Sequence, residues 1–170
     1  RIVTDDLIFL LDPASPKCFG SGETTATDLV GGKTCSGANG SPGSGTPTPD
    51  TARMPAYNST NGGSFYFAGN DGINVEGDLG SHSAVSYSLW FKALDGAASR
   101  YFFDARNDGG TWFIRNYTGS NTNITWADNL RYNFDATFNA STSAFLNTWM
   151  YMVATSNSSG TLLYLNGTEI

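Results

Sequence analysis

Val85-Ser86-Tyr87-Ser88-Leu89-Trp90-Phe91 is the stretch on which the fold turns. Successive side chains of a strand point to opposite faces. Val85, Tyr87, Leu89 and Phe91 then share one face, and Ser86, Ser88 and Trp90 the other. A helix would repeat its apolar residues at three and four positions instead. The same period of two returns downstream, where Trp149, Tyr151, Val153 and Thr155 alternate with Met150, Met152 and Ala154. Residues 161–165 follow Ser158-Ser159-Gly160 and run into Asn166-Gly167, the dipeptide of a type I′ hairpin turn.

Outward from these stretches the strand signals continue. Tyr101-Phe102-Phe103 and residues 111–115 flank Asn107-Asp108-Gly109-Gly110, a hairpin turn, and residues 123–126 and 131–134 read as a second pair. Ser64-Phe65-Tyr66-Phe67, Gly69-Asn70-Asp71-Gly72 and Ile73-Asn74-Val75 read as strand, turn and strand. Leu7-Ile8-Phe9-Leu10-Leu11, bounded by Asp6 and Asp12-Pro13, reads as a short buried strand. Many short strands and no amphipathic helical pattern predict an all-β fold, an antiparallel two-sheet sandwich in one domain spanning residues 1–170. Residues 36–50 are almost wholly Gly, Ser, Pro and Thr, which predicts a long surface loop. The Asn166-Gly167 turn calls for a returning strand, yet only Thr168, Glu169 and Ile170 follow. Either another subunit or further residues of a longer polypeptide would complete that edge.

Composition narrows the function. The chain has 170 residues with 9 Lys and Arg against 15 Asp and Glu, a net charge of −6. An acidic chain lacks the basic face that nucleic acid or an anionic membrane requires. The longest apolar run, residues 7–11, is far shorter than the roughly 20 residues of a membrane span. Cys18 and Cys35 lie in a polar, glycine-rich stretch and leave two readings open, a disulfide or two thiols. A bond would close a loop worth about 3 kcal/mol and imply an oxidising setting. Two Cys and one His do not make a zinc site.

At these residues the chain resembles the laminin-G / concanavalin A-like jelly-roll superfamily. The likeness is carried by residues 149–155, by the hairpin Leu163-Tyr164-Leu165-Asn166-Gly167-Thr168, by residues 63–75 and by residues 85–92. Residues 10–19, Gly20-Ser21-Gly22-Glu23-Thr24-Thr25 and Thr27-Asp28-Leu29-Val30-Gly31 are similar to the opening of the laminin-G-like modules of tailed-phage structural proteins, although the Trp usual before the Asp-Leu pair is absent. The resemblance implies a jelly-roll sandwich and a virion structural role, as a capsid decoration or fibre module. Its partners would be other copies of itself or other virion proteins, and host-surface glycans. The alternative is a secreted carbohydrate-binding or adhesion module, extracellular rather than on a virion surface.

Glucanases and lectins share that fold, so chemistry must be read from residues. Retaining glucanases set two carboxylates about 5 Å apart. The chain has three Glu in all, and Glu76-Gly77-Asp78 is followed by Gly80 and Ser81 where the second Glu of that motif would stand. A non-enzymatic protein is therefore expected. Many relatives hold Ca²⁺ on rim loops, and Asn70, Asp71, Asp104, Asn107 and Asp108 are the candidate ligands. The competing reading is turn chemistry, to which Asn and Asp are equally suited. Residues 104–109 are no EF-hand loop, because Arg106 occupies a ligand position. Trp112, Tyr117 and Trp126 are the candidate carbohydrate platform, against the alternative of core or inter-subunit aromatics. Sequons begin at Asn58, Asn116, Asn123, Asn139, Asn157 and Asn166, and each matters only in a cell that glycosylates.

Overall fold

Alternation in the sequence becomes ladder in the structure. A computed structural model describes residues 6–20, 22–39, 48–68, 71–77, 82–94, 101–104, 113–117, 123–128, 131–138 and 146–170, with backbone alone at residues 39, 48, 49, 51 and 61 and throughout 101–138. All described strands pair antiparallel, and the only helical elements described are two three-residue 3-10 turns. The fold is all-β, consistent with a concanavalin A-like jelly roll. No helix of the described residues is long and apolar enough to cross a membrane. The chain divides into two compact units, Arg1–Gly80 and Ser81–Ile170.

The first unit holds β1 (Thr25–Thr27), β2 (Thr34–Asn39), β3 (Thr48–Pro49), β4 (Ala56–Asn58), β5 (Ser64–Tyr66) and β6 (Ile73–Val75). β2 is the hub and pairs with β1, β3 and β6, while β4 and β5 form a separate pair. Cys18, Phe19, Ala26 and Cys35 make the buried centre, with Phe9, Leu11, Leu29, Met54, Phe65, Ile73 and Val75 packed on it. Phe19 meets Tyr57 and Phe65 at ring-centroid distances of 5.4 and 5.2 Å.

Two expectations for this unit are corrected, and a third holds with different strand partners. Residues 7–11 form no strand. Their apolar side chains are largely half-buried, but Leu10 N donates to Asp28 Oδ1 at 2.8 Å and Leu10 O accepts from Leu29 N at 2.9 Å, so the segment is tied to a turn. An apolar run without alternation does not distinguish a strand from another buried segment. Residues 64–66 and 73–75 are strands but do not pair with each other, because β5 takes β4 and β6 takes β2. The loop expected over 36–50 is interrupted, since Ser36, Gly37 and Ala38 are buried in β2, and Thr48 and Pro49 return to it as β3. Small residues serve there because the chain approaches closely: a Cβ at Gly37 would collide with Met54 N, Asp50 O and Arg53 C. Residues 40–47 lie outside the described residues.

The second unit holds β7 (Val85–Lys92), β8 (Tyr101–Asp104), β9 (Phe113–Tyr117), β10 (Asn123–Asp128), β11 (Arg131–Phe138), β12 (Trp149–Asn157), β13 (Gly160–Leu165) and β14 (Thr168–Glu169). They form two four-stranded sheets, ordered β14-β13-β12-β7 and β11-β10-β9-β8. In the first of these sheets, Phe91, Met150, Met152, Ala154, Leu163 and Leu165 are buried as a cluster, flanked by Val85, Tyr87, Leu89 and Ala93. The register explains the cluster, because Phe91 stands opposite Met150 and Leu89 opposite Met152. The turn at Asn166 and Gly167 has φ of 50° and 81°, the pair of positive values that a type I′ turn demands. The returning strand β14 pairs Thr168 with Leu165 and Glu169 with Tyr164.

Candidate functional site

The residues singled out from the sequence do not assemble into one described site. Trp112, Asn70, Asn107 and Asp108 lie outside the described residues. Asp104 ends β8 opposite Phe113. Asp71 is engaged in a turn: its Oδ2 accepts from Ala68 N at 3.0 Å, and its own amide donates to Ala68 O. Among the described residues no group of three or more His, Cys, Asp and Glu could hold a metal ion. Tyr117 pairs with Asn123, and Trp126 pairs with Ile114. Asn123 and Trp126 are three residues apart on β10, so Tyr117 and Trp126 fall on opposite faces of their sheet.

Cys18 and Cys35 are thiols in the structure, both fully buried in the core of the first unit. Their backbones flank β1: Cys18 O accepts from Thr27 N at one edge, while Cys35 pairs with Ala26 across the other. Loss of water raises the pKa of both thiols, that of Cys35 to about 11, helped by the nearby Asp28 carboxylate. The thiolate is the reactive form. Neither cysteine is therefore expected to react with an aromatic disulfide reagent in the folded protein at neutral pH, and both are expected to react in denaturant. Rapid labelling without denaturant would show that this core opens.

Three sequon asparagines are described with their side chains, and each already uses its side-chain carbonyl. Asn58 accepts from Thr60 N, Asn157 from Ser159 N and Asn166 from Tyr151 N. Asn166 Nδ2 also donates to Met150 Sδ at 3.4 Å. These residues shape turns whatever else is attached to them.

A different constellation stands on the sheet β14-β13-β12-β7. Its second face carries Ser86, Ser88, Trp90 and Lys92 from β7, Trp149, Tyr151, Val153 and Thr155 from β12, and Leu162 and Tyr164 from β13. Trp90 is directly opposite Tyr151, and Lys92 directly opposite Trp149. The Trp90 and Tyr151 rings lie 5.0 Å apart at 31°. Trp90 is 65% exposed and Trp149 41% exposed. Tyr164 stands beside Glu169, and its phenol is held above the ordinary pKa by loss of water and by that carboxylate. Two tryptophans and a tyrosine on the open side of a sheet that already buries its other side are not needed for its core.

The alternation in 85–92 and 149–155 already separated Trp90 from Leu89 and Trp149 from Met150. It did not reveal which side faces water, since both sides of β12 carry large apolar residues. The decision comes from β7, whose serines share the face of Trp90.

Residues 48–170 match a laminin-G family profile described as the concanavalin A-like lectin/glucanases superfamily, a span that includes the whole of this sheet. No curated protein and no solved structure matches the chain.

Proposed function

Because the chain belongs to the concanavalin A-like lectin/glucanases superfamily, we propose that it binds carbohydrate without cleaving it, on the open face of β7, β12 and β13. The observation that carries the reading is the exposed Trp90 set against Tyr151, with Trp149 beside them. A pyranose ring presents an apolar C–H face and a polar rim. Trp and Tyr offer a flat apolar body with a polar handle, and Ser86, Ser88 and Thr155 surround them with hydroxyls.

The non-enzymatic half of the proposal rests on carboxylates. Glu169 is the acid that the described residues place on this face, whereas a retaining hydrolase needs two about 5 Å apart. Glu23 lies in the first unit with its carboxylate bonded to Gly20 N at 2.7 Å.

The setting belongs to the same proposal. The likeness of residues 10–31 to the opening of tailed-phage modules supports a virion surface, where copies of the protein would display the aromatic face towards host glycans. A secreted adhesion module would use the same face. Electron microscopy of the native particle separates the two settings.

Trp90→Ala tests the site. Exposed aromatic anchors commonly contribute about 2 kcal/mol or more to binding, so glycan affinity is expected to fall at least tenfold. Stability is expected to change by about 1 kcal/mol or less, the worth of the pair with Tyr151. A wild-type protein that retains no member of a broad glycan array, or a variant that binds as well as wild type, overturns the site.

A further inference from the structure

We infer that the glycan taken by this face is an acidic one, whose carboxylate is received by Lys92. The inference rests on the carbohydrate-binding reading and deepens it.

Lys92 ends β7 two residues beyond Trp90, so both stand on the same face, and both are exposed. Across the ladder its partner is Trp149. The aromatic row Trp90, Tyr151 and Trp149 is therefore bordered by an ammonium group. The ion pair found among the described residues, Arg53 with Asp50, is in the other unit, and Lys92 has no acidic partner there.

The charge of the chain is unevenly placed. The first 80 residues carry four Lys and Arg against nine Asp and Glu, and the remaining 90 carry five against six. The acidity that would repel an anion thus resides in the first unit, while the unit bearing the aromatic face is nearly neutral. At the opposite corner of the face Glu169 stands beside Tyr164, two ladder rows or about 14 Å from the Lys92 row. A carboxylated sugar is drawn towards Lys92 and kept from Glu169, which fixes the direction of the saccharide over the rings. One cation suits one carboxylate per site. A densely sulfated chain would need several cations, as polyanion binding does generally.

The test pairs probes that differ by the carboxylate alone: sialyllactose against lactose, and a β-1,4-glucuronic acid hexamer against a β-1,4-glucose hexamer, within an array of neutral, uronate-bearing and sialylated glycans. The full chain is expected to bind carboxylated members at least about fivefold more tightly than their neutral partners. Raised salt should narrow that gap, since the pair is exposed. Lys92→Gln should abolish the preference and Lys92→Arg restore it, while Trp90→Ala weakens acidic and neutral members alike. Equal binding of the paired probes, unchanged in Lys92→Gln, overturns the inference and leaves carbohydrate binding standing. Retention of no glycan by the folded protein overturns both.

Discussion

Asp28→Ala is expected to cost about 4 kcal/mol, a large share of the stability of a domain this size. Asp28 is 1% exposed, and its carboxylate is the organising centre of the N-terminal segment. Oδ1 accepts from Leu10 N at 2.8 Å and from Val30 N at 3.0 Å, and Oδ2 accepts from Gly31 N at 2.8 Å. Its backbone joins the same knot, with Asp28 N donating to Lys33 O and Asp28 O accepting from Gly32 N. Alanine would leave three amides without their charged acceptor, and a hydrogen bond to a charged group contributes roughly 1.5–3 kcal/mol net, part of which water entering the gap would restore. Leu10 would then be held to the turn only through its carbonyl, which accepts from Leu29 N, and the register of Phe9 and Leu11 against Cys18 and Cys35 would loosen.

The same residue makes a pH prediction. Burial pushes the Asp28 carboxyl up, but the backbone amides of Leu10, Val30 and Gly31 outweigh it and hold the pKa below the usual carboxylate value. A carboxyl lowered on folding stabilises the protein above its unfolded pKa of about 4, and that contribution is lost as pH falls through the folded value. Asp28→Asn should remove this part of the acid sensitivity along with much of the stability, because its NH₂ group must confront a backbone N–H. All four tryptophans, Trp90, Trp112, Trp126 and Trp149, lie in the second unit, so indole fluorescence does not report this region directly. Hydrogen exchange at Leu10, Val30 and Gly31 does. Protection of those amides that survives Asp28→Ala would refute the role assigned to the carboxylate.

How far the sequence could be read depended on whether one rule governed a segment. In 85–92 and 149–157 the period of two and the register agree, and at Asn166-Gly167 the turn dipeptide adopts the positive φ pair its chemistry predicts. The N-terminal 80 residues are governed by tertiary contacts. Thr34-Cys35-Ser36-Gly37-Ala38-Asn39 has no alternation of apolar and polar residues, yet it is the hub strand, because its small side chains admit neighbours on several sides. Leu7-Ile8-Phe9-Leu10-Leu11 is apolar but satisfies its backbone partly through a carboxylate 18 residues away, a bond that no local pattern announces. The exposed aromatic face was hidden for another reason. Trp149 and Met150 are both large and apolar, and only the pairing of Met150 with Phe91, and of Trp149 with Lys92, assigns one to the core and the other to solvent.

Gly37→Ala is the second substitution with a large expected effect, about 3 kcal/mol or more, and its cause is space rather than backbone freedom. Gly37 lies in β2 opposite Ile73, outside the left-handed region, so alanine could adopt its backbone angles. A methyl group there would collide with Met54 N, Asp50 O and Arg53 C, all backbone atoms that cannot swing aside as a side-chain tip can. Overpacking typically costs roughly 1–3 kcal/mol, and more where the backbone must yield. To admit the methyl, residues 50–54 must withdraw from β2, breaking the 2.7 Å bond from Asp50 N to Gly37 O and lifting Met54 from the core cluster. The adjacent residue supplies the contrast. Ser36 is 2% exposed, and its hydroxyl has no hydrogen-bond partner among the described residues. Ser36→Ala removes an unsatisfied polar atom without adding volume, so it should be neutral or stabilising by about 1 kcal/mol. Urea midpoints of the two variants should thus move in opposite directions, or one should move and the other stay. Equal tolerance at both positions would mean that residues 50–54 do not pack against β2 as described, and the hub of the first unit would have to be redrawn.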